Sequence, residues 1–392
     1  MKNETLYTGC EASLPEFIGI WEKMVNVDCG SRCGEGINRV ANLLADEFRK
    51  LDADEVKIIP MADPKEGSHL LVTFKGTGKG KILAEAHLDT VFPKETAAER
   101  PFKIDGEWVR GPGCADCKSG VTLMLFAMKQ LKSLGFRDYG TITCLFNGDE
   151  EIGSPDSRNL LQKLAPEYDC YICCESGQKG DGVVRSRKGS NRIKLEVEGV
   201  SSHAGSAPEK GRSALMEIIH QIQEMKKTEK PERGTTINFT VLHTGNADNV
   251  IPDSAYAVAD MRVTSNEETL RVEKKLQEIA ANPSIEGTSV HVEIARGNPP
   301  FTANPGTDRL IDVAQEIYAE LGKSLKIVSP GGSTDANWAA SFGMTAVDGF
   351  GAVKGGKNHT PDECVSLSSV VPRMYLLTRM FMRLGRKDYT AE

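Results

Sequence analysis

Three acids stand in succession at Asp149, Glu150 and Glu151, after the apolar run Thr141–Phe146 and the turn pair Asn147-Gly148. Like charges this close repel, so a fold must offer them a cation, a proton or water. A solvated acidic turn is the plain explanation when such a triplet stands alone. This one has company. The run Lys81–Ala86 ends in His87-Leu88-Asp89-Thr90. Residues two apart on a strand share a side, so His87 and Asp89 fall together. A neutral imidazole is a common metal ligand, and a neighbouring carboxylate commonly fixes its tautomer. A third run, Tyr171–Cys174, ends in Glu175-Ser176-Gly177, and the glycine-rich stretch 110–120, RGPGCADCKSG, carries Asp116. The polar stretch Lys357-Asn358-His359-Thr360-Pro361 adds a second histidine.

Each of these residues has an ordinary explanation by itself. Asp116 sits before the helical stretch Val121–Leu134 and can simply cap it. Together, two imidazoles and three or four carboxylates make a mixed nitrogen and oxygen donor set. That set suits zinc, cobalt or manganese better than calcium or an iron–sulfur centre. A pair of such ions shares a bridging carboxylate and activates water for hydrolysis. One acid must then stay unligated to take the proton. Glu150 and Glu151, adjacent and pointing apart, can divide those tasks.

The elements that must position these groups are legible as well. Strands are expected at Glu55–Ile59, His69–Phe74, Lys81–Ala86, Thr141–Phe146 and Tyr171–Cys174, with helices between several of them. In open α/β sheets, sites form beyond the carboxyl ends of the strands, where His87, Asp89, Glu150, Glu151 and Glu175 lie and which the loop acid Asp116 joins; His359 is offered by a polar loop further on. The middle of the chain reads differently. Strand Ile193–Val197, helix Ala214–Met225, strands Thr236–Leu242 and Ala255–Val263, helix Glu267–Ala281 and strand Ser289–Ile294 follow the β-α-β-β-α-β order of a ferredoxin-like unit. The expected organisation is an α/β catalytic domain in two parts, 1–189 and 301–392, around an inserted domain at 190–300. The inserted helix at Ala214 and an edge strand beside it are candidates to pair two subunits.

Composition narrows the function. The 392 residues exceed one ordinary core. A net charge of −7 without a basic cluster argues against nucleic-acid binding. No apolar run is long enough to span a bilayer, and the opening residues lack a signal peptide's apolar core, so the cytoplasm is expected. Ten cysteines fit a reducing compartment. Two C-x-x-C pairs, Cys114/Cys117 and Cys170/Cys173, lie much further apart than the halves of a zinc ribbon.

Eight ordered markers resemble the di-zinc exopeptidase family of glutamate carboxypeptidase, acetylornithine deacetylase, succinyl-diaminopimelate desuccinylase, aminoacylase and tripeptide aminopeptidase. They are AHLDTVFP at 86–93, RGPGCADCKSG at 110–120, GDEEIGS at 148–154, ESG at 175–177, SSHAGSAP at 201–208, GNADNVIP at 245–252, GGSTDAN at 331–337 and NHTPDE at 358–363. The likeness is greatest to the glutamate carboxypeptidase branch. It implies a mixed, mostly parallel sheet flanked by helices, with an inserted lid and dimerisation domain. It implies two zinc ions, with cobalt or manganese as substitutes: His87, Asp116 and Glu175 on one, Asp116, Glu151 and His359 on the other. Glu150 becomes the general base and Asp89 the residue orienting His87. His203 reaches across a homodimer to the oxyanion, Asn249 and Arg262 contact substrate, with Arg262 on its carboxylate, and Gly332 offers a backbone donor. The activity implied is release of a C-terminal, glutamate-like amino acid from peptides or N-acyl amino acids. Deacylase or aminopeptidase activity is the alternative within the family, and a metal-free scaffold the alternative outside it. One departure stands out: Cys117 follows the bridging aspartate where relatives often carry Asp, Asn or Met.

Overall fold

The computed structural model describes residues 3–387. The chain divides into two compact units. The first comprises the chain up to Ser186, Ala303–Ser329 and the chain from Thr334 onward; the second comprises Arg187–Thr302 with Pro330–Ser333. Ten strands build the two main sheets: β1 (Glu55–Pro60), β2 (Ser68–Lys75), β3 (Lys81–His87), β4 (Thr141–Asn147), β5 (Cys170–Cys173), β6 (Gly189–Glu198), β7 (Thr236–Thr244), β8 (Ser254–Val263), β9 (Ser289–Arg296) and β10 (Ala346–Val347).

The first unit's sheet runs β1-β2-β4-β3-β5-β10. β1, β2 and β4 pair antiparallel, whereas β4, β3, β5 and β10 run parallel. The parallel strands are buried along nearly their whole length, so they read as continuous apolar runs without alternation. Parallel pairing sets their carboxyl ends on one edge. His87 stands opposite Asn147, the last residue of β4, and Glu85 opposite Cys173, the last of β5. A one-residue slip here would turn every side chain to the other face.

The helix Ser119–Ser133 packs deep in this unit against the long helix Val370–Arg386. Its start comes so close to the end of β5 that a Cβ on Gly120 would lie 1.8 Å from the Cys174 carbonyl oxygen. Only glycine permits that approach. Phe17, Trp21 and Phe126 pack edge-on or tilted beside it with ring centroids 5.2–5.7 Å apart.

The second unit is the expected β-α-β-β-α-β array. Its antiparallel sheet runs β7-β8-β6-β9. β6 and β8 alternate buried and accessible residues along their length, the mark of a sheet covered on one face. Helices Ala214–Lys226 and Asn266–Ala280 pack on it, and Ser213 and Ser265 cap them by accepting the main-chain N–H groups of Met216 and Glu268. No described helix is long and apolar enough to cross a membrane.

Candidate metal centre

His87, at the end of β3, is fully enclosed. Its Nδ1 lies 2.9 Å from the main-chain carbonyl of Asp89 and 3.4 Å from that residue's carboxylate. The ring is therefore oriented chiefly by the carbonyl, which accepts from Nδ1–H and leaves Nε2 as the donor nitrogen. Nε2 faces Asp116 Oδ1 at 3.0 Å and Glu175 Oε1 at 3.2 Å. His359 repeats the pattern: its Nε2 is 3.0 Å from Asp116 Oδ2 and 3.2 Å from Glu151 Oε2. The two imidazoles thus approach the two oxygens of one carboxylate, and each meets one further acid.

The Asp89 carboxylate has a second task. It accepts from the main-chain N–H groups of Glu150 and Glu151 at 3.1 and 3.2 Å, and from the Ser31 hydroxyl at 2.7 Å. It thereby ties the acidic turn to the end of β3. The turn itself is one short 3-10 segment, Glu150–Ile152, closed by Gly153 in the left-handed region.

The electrostatics are those of a crowded acidic pocket. Burial pushes the Glu150 carboxyl well above the usual range, with the charges of Glu175, Asp335 and Glu151 adding to it against His87. Burial likewise lifts Glu151 to about 7 and raises Glu175. Burial opposes ionisation of Asp116, but the His359 and His87 hydrogen bonds outweigh it and hold that carboxyl well below its ordinary value. Its hydrogen bonds to the carboxylates of Asp116 and Glu151 raise His359 to about 10.

These residues fit a pair of divalent ions. A ring nitrogen carries at most one hydrogen, yet each Nε2 faces two carboxylate oxygens; a cation between them satisfies all three. Buried Glu151 Oε1 has no hydrogen-bond partner among the described residues. Donor atoms of His87, Asp116 and Glu151 lie within 4.8 Å of one another, and so do those of His87, Cys117 and Glu175.

Three supporting residues carry no individual role in the sequence reading. Glu363 is buried, and its carboxylate accepts the N–H groups of Ala115 at 2.8 Å, Asp116 at 3.1 Å and Gly113 at 3.3 Å, cradling the loop that presents Asp116. Asn358 donates to Asp116 Oδ2 at 2.7 Å. Asp335 accepts from Asn147 Nδ2 at 2.7 Å and from the Ser154 hydroxyl, so it grips both ends of the acidic turn. Each lies in a quoted marker, but nothing local distinguishes it from a surface polar group.

The remaining expected site residues belong to the second unit. His203 is exposed, and its Nδ1 accepts the N–H groups of Gly205 and Ser206 at 3.1 Å each. The Asn249 carbonyl accepts from Ala204 N–H at 2.8 Å. Arg262 forms a two-pronged pair with Asp260 at 2.8 and 3.0 Å, so its guanidinium already has an internal partner. The Gly332 carbonyl accepts from Arg187 at 3.1 Å.

Comparison with known proteins places nearly the whole chain among relatives. Residues 83–383 match the family described as peptidase family M20/M25/M40. The chain is 34% identical over 386 residues to carboxypeptidase G2 of Pseudomonas sp. (strain RS-16), covering 98% of this chain and 93% of that one. It is 25% identical over 326 residues to succinyl-diaminopimelate desuccinylase of Anaplasma marginale (strain Florida), covering 79% and 82%. In fold it resembles the aminopeptidase PepT of Bacillus cereus ATCC 10987, with a TM-score of 0.80, 23% identity and coverage of 95% and 98%.

Proposed function

The chain belongs to peptidase family M20/M25/M40 and is a hydrolase of peptide or amide bonds; from that premise we propose that it is a dinuclear metallo-carboxypeptidase releasing a C-terminal, glutamate-like amino acid. The observation that carries the reading is the pair of imidazoles meeting over Asp116, each backed by a further acid. In this reading His87, Asp116 and Glu175 hold one divalent ion, and Asp116, Glu151 and His359 the other. Zinc is the first choice, with cobalt or manganese as substitutes. When bound, the ions supply concentrated positive charge that acidifies water and polarises a carbonyl.

The chain's own groups do the rest. Glu150 takes the proton of the attacking water on its carboxylate and returns it to the leaving nitrogen. Asp89 fixes both the His87 ring and the Glu150 main chain. Arg262 takes the substrate's terminal carboxylate, exchanging or sharing Asp260. Asn249 and the Gly332 main chain flank the substrate. The partner subunit's His203 donates to the oxyanion, a contribution typically worth about 3–4 kcal/mol. A homodimer through the inserted unit is supported by large apolar side chains exposed on its helix and edge strand, at Met216, Val241 and Leu242. Ten cysteines, all free, suit the cytoplasm.

A panel of dipeptides and N-acyl amino acids, assayed with zinc-loaded and cobalt-loaded protein, tests the substrate. Hydrolysis of substrates with a free C-terminal carboxylate, lost on amidation and kept on N-acetylation, is expected. Turnover that instead demands a free N-terminus would make the protein an aminopeptidase. Turnover of acyl-amino acids without peptides would make it a deacylase.

A further inference from the structure

Cys117 follows the aspartate that both imidazoles approach, and it lies within the donor cluster. It is completely buried. Its sulfur makes a long hydrogen bond of 3.7 Å to the Cys174 carbonyl oxygen and has the His87 imidazole as a further hydrogen-bonding neighbour. The same sulfur lies within 4.8 Å of a His87 ring nitrogen and a Glu175 carboxylate oxygen, which are themselves within that distance of each other. All ten cysteines are free, yet among the described residues Cys117 alone shares such a group with a histidine and an acid.

We propose that Cys117 is a fourth protein ligand to the ion held by His87, Asp116 and Glu175, and that it makes this position selective for thiophilic cations. The inference rests on the ligand set of the proposed function. On ligation the S–H bond breaks, the sulfur lone pair binds the cation, and the proton leaves to solvent. With Cys117 added, the residues that would hold this ion offer sulfur, nitrogen and carboxylate oxygen, a donor mixture that zinc accepts. The His359 position has only three protein donors and retains the open place a catalytic ion needs. The two positions therefore differ in kind. The first holds zinc or cadmium strongly and discriminates against manganese, which prefers oxygen; the second exchanges readily.

Cobalt loading tests this without reference to turnover. Full-length protein carrying two equivalents of cobalt should show a sulfur-to-cobalt charge-transfer band in the near ultraviolet, absent from Cys117→Ser loaded to the same level. Under graded chelation the parent should keep one zinc after losing the other. In Cys117→Ser the retained zinc should be weakened at least about tenfold, while manganese binding changes little. Circular dichroism of both metal-free proteins checks that they fold alike, and Cys117→Ala serves as the replacement should the serine variant fail to fold. Two bound cobalt ions without the band would overturn the role of Cys117 and leave the proposed function standing. Failure of the parent to bind any cobalt would overturn both.

Discussion

Buried acids occur in both units, and their surroundings differ completely. In the inserted unit Glu217 accepts from Gln221 at 2.8 Å, from the Ser284 hydroxyl at 2.8 Å and from the N–H groups of Ser284 and Ile285. Glu268 is gripped by Arg271 at 2.7 Å and by the Thr235 hydroxyl at 2.7 Å. The hydrogen bonds from Arg271, against burial, hold its carboxyl down at about 2. Both carboxylates are answered by donors of the same unit. At the edge of the parallel sheet, by contrast, Asp116, Glu150, Glu151 and Glu175 gather around two imidazoles, and three of the four are raised. An acid with its own donors builds structure, whereas acids crowded without enough donors mark a place that expects a cation.

Four substitutions break or sharpen that contrast, in falling order of effect. Asp116→Ala removes the carboxylate shared by both imidazoles. It should abolish binding of both ions, read by metal analysis, and reduce turnover to background. Glu150→Gln should keep both ions and lower kcat roughly 10²–10⁴-fold. Near-normal rates would remove Glu150 from the proton transfer. Glu363→Gln leaves the ligands in place but weakens the cradle under Asp116. A loss of metal affinity of about 10–100-fold is expected, measured by competition with a chelator. Glu268→Gln should leave metal content untouched and destabilise the inserted unit by roughly 1–2 kcal/mol at neutral pH, measured by denaturant unfolding.

The last variant also carries a pH signature. The folded carboxyl of Glu268 titrates below its unfolded value of about 4.3. Its stabilisation is therefore complete above about pH 4.3 and is lost as the pH falls through about 2. The parent should lose stability across that window, and Glu268→Gln should lack that component of the loss.

Much of this arrangement is legible in the sequence. The apolar runs ending at His87, Asn147 and Cys174 announce parallel buried strands, because strands covered on both faces have no polar alternation to confuse them. Strand ends then carry the donors to one edge, so His87, Glu150, Glu151 and Glu175 are readable from spacing. Asp116 and His359 lie in loops, where residue type and the company of the other donors, rather than strand spacing, bring them in. Glu363 is not readable in either way. It supports Asp116 across 247 positions of sequence, and an acid in a polar loop resembles any other until that contact is seen. The same holds for Asp335, whose grip on Ser154 spans 181 positions. The engagement of Arg262 by Asp260 could have been suspected, since residues two apart on a strand share a face.

The first unit is interrupted by the insertion, and His359 lies beyond the interruption. During synthesis the ribosome therefore delivers His87, Asp116, Glu151 and Glu175 long before the last donor. The helix Val370–Arg386, which packs against Ser119–Ser133, emerges later still. A polypeptide that stops within the insertion therefore carries Asp116 and Glu151 without the imidazole of His359 that meets them in the folded chain. The acidic turn thus acquires its second imidazole neighbour only once the segment beyond the insertion has been made.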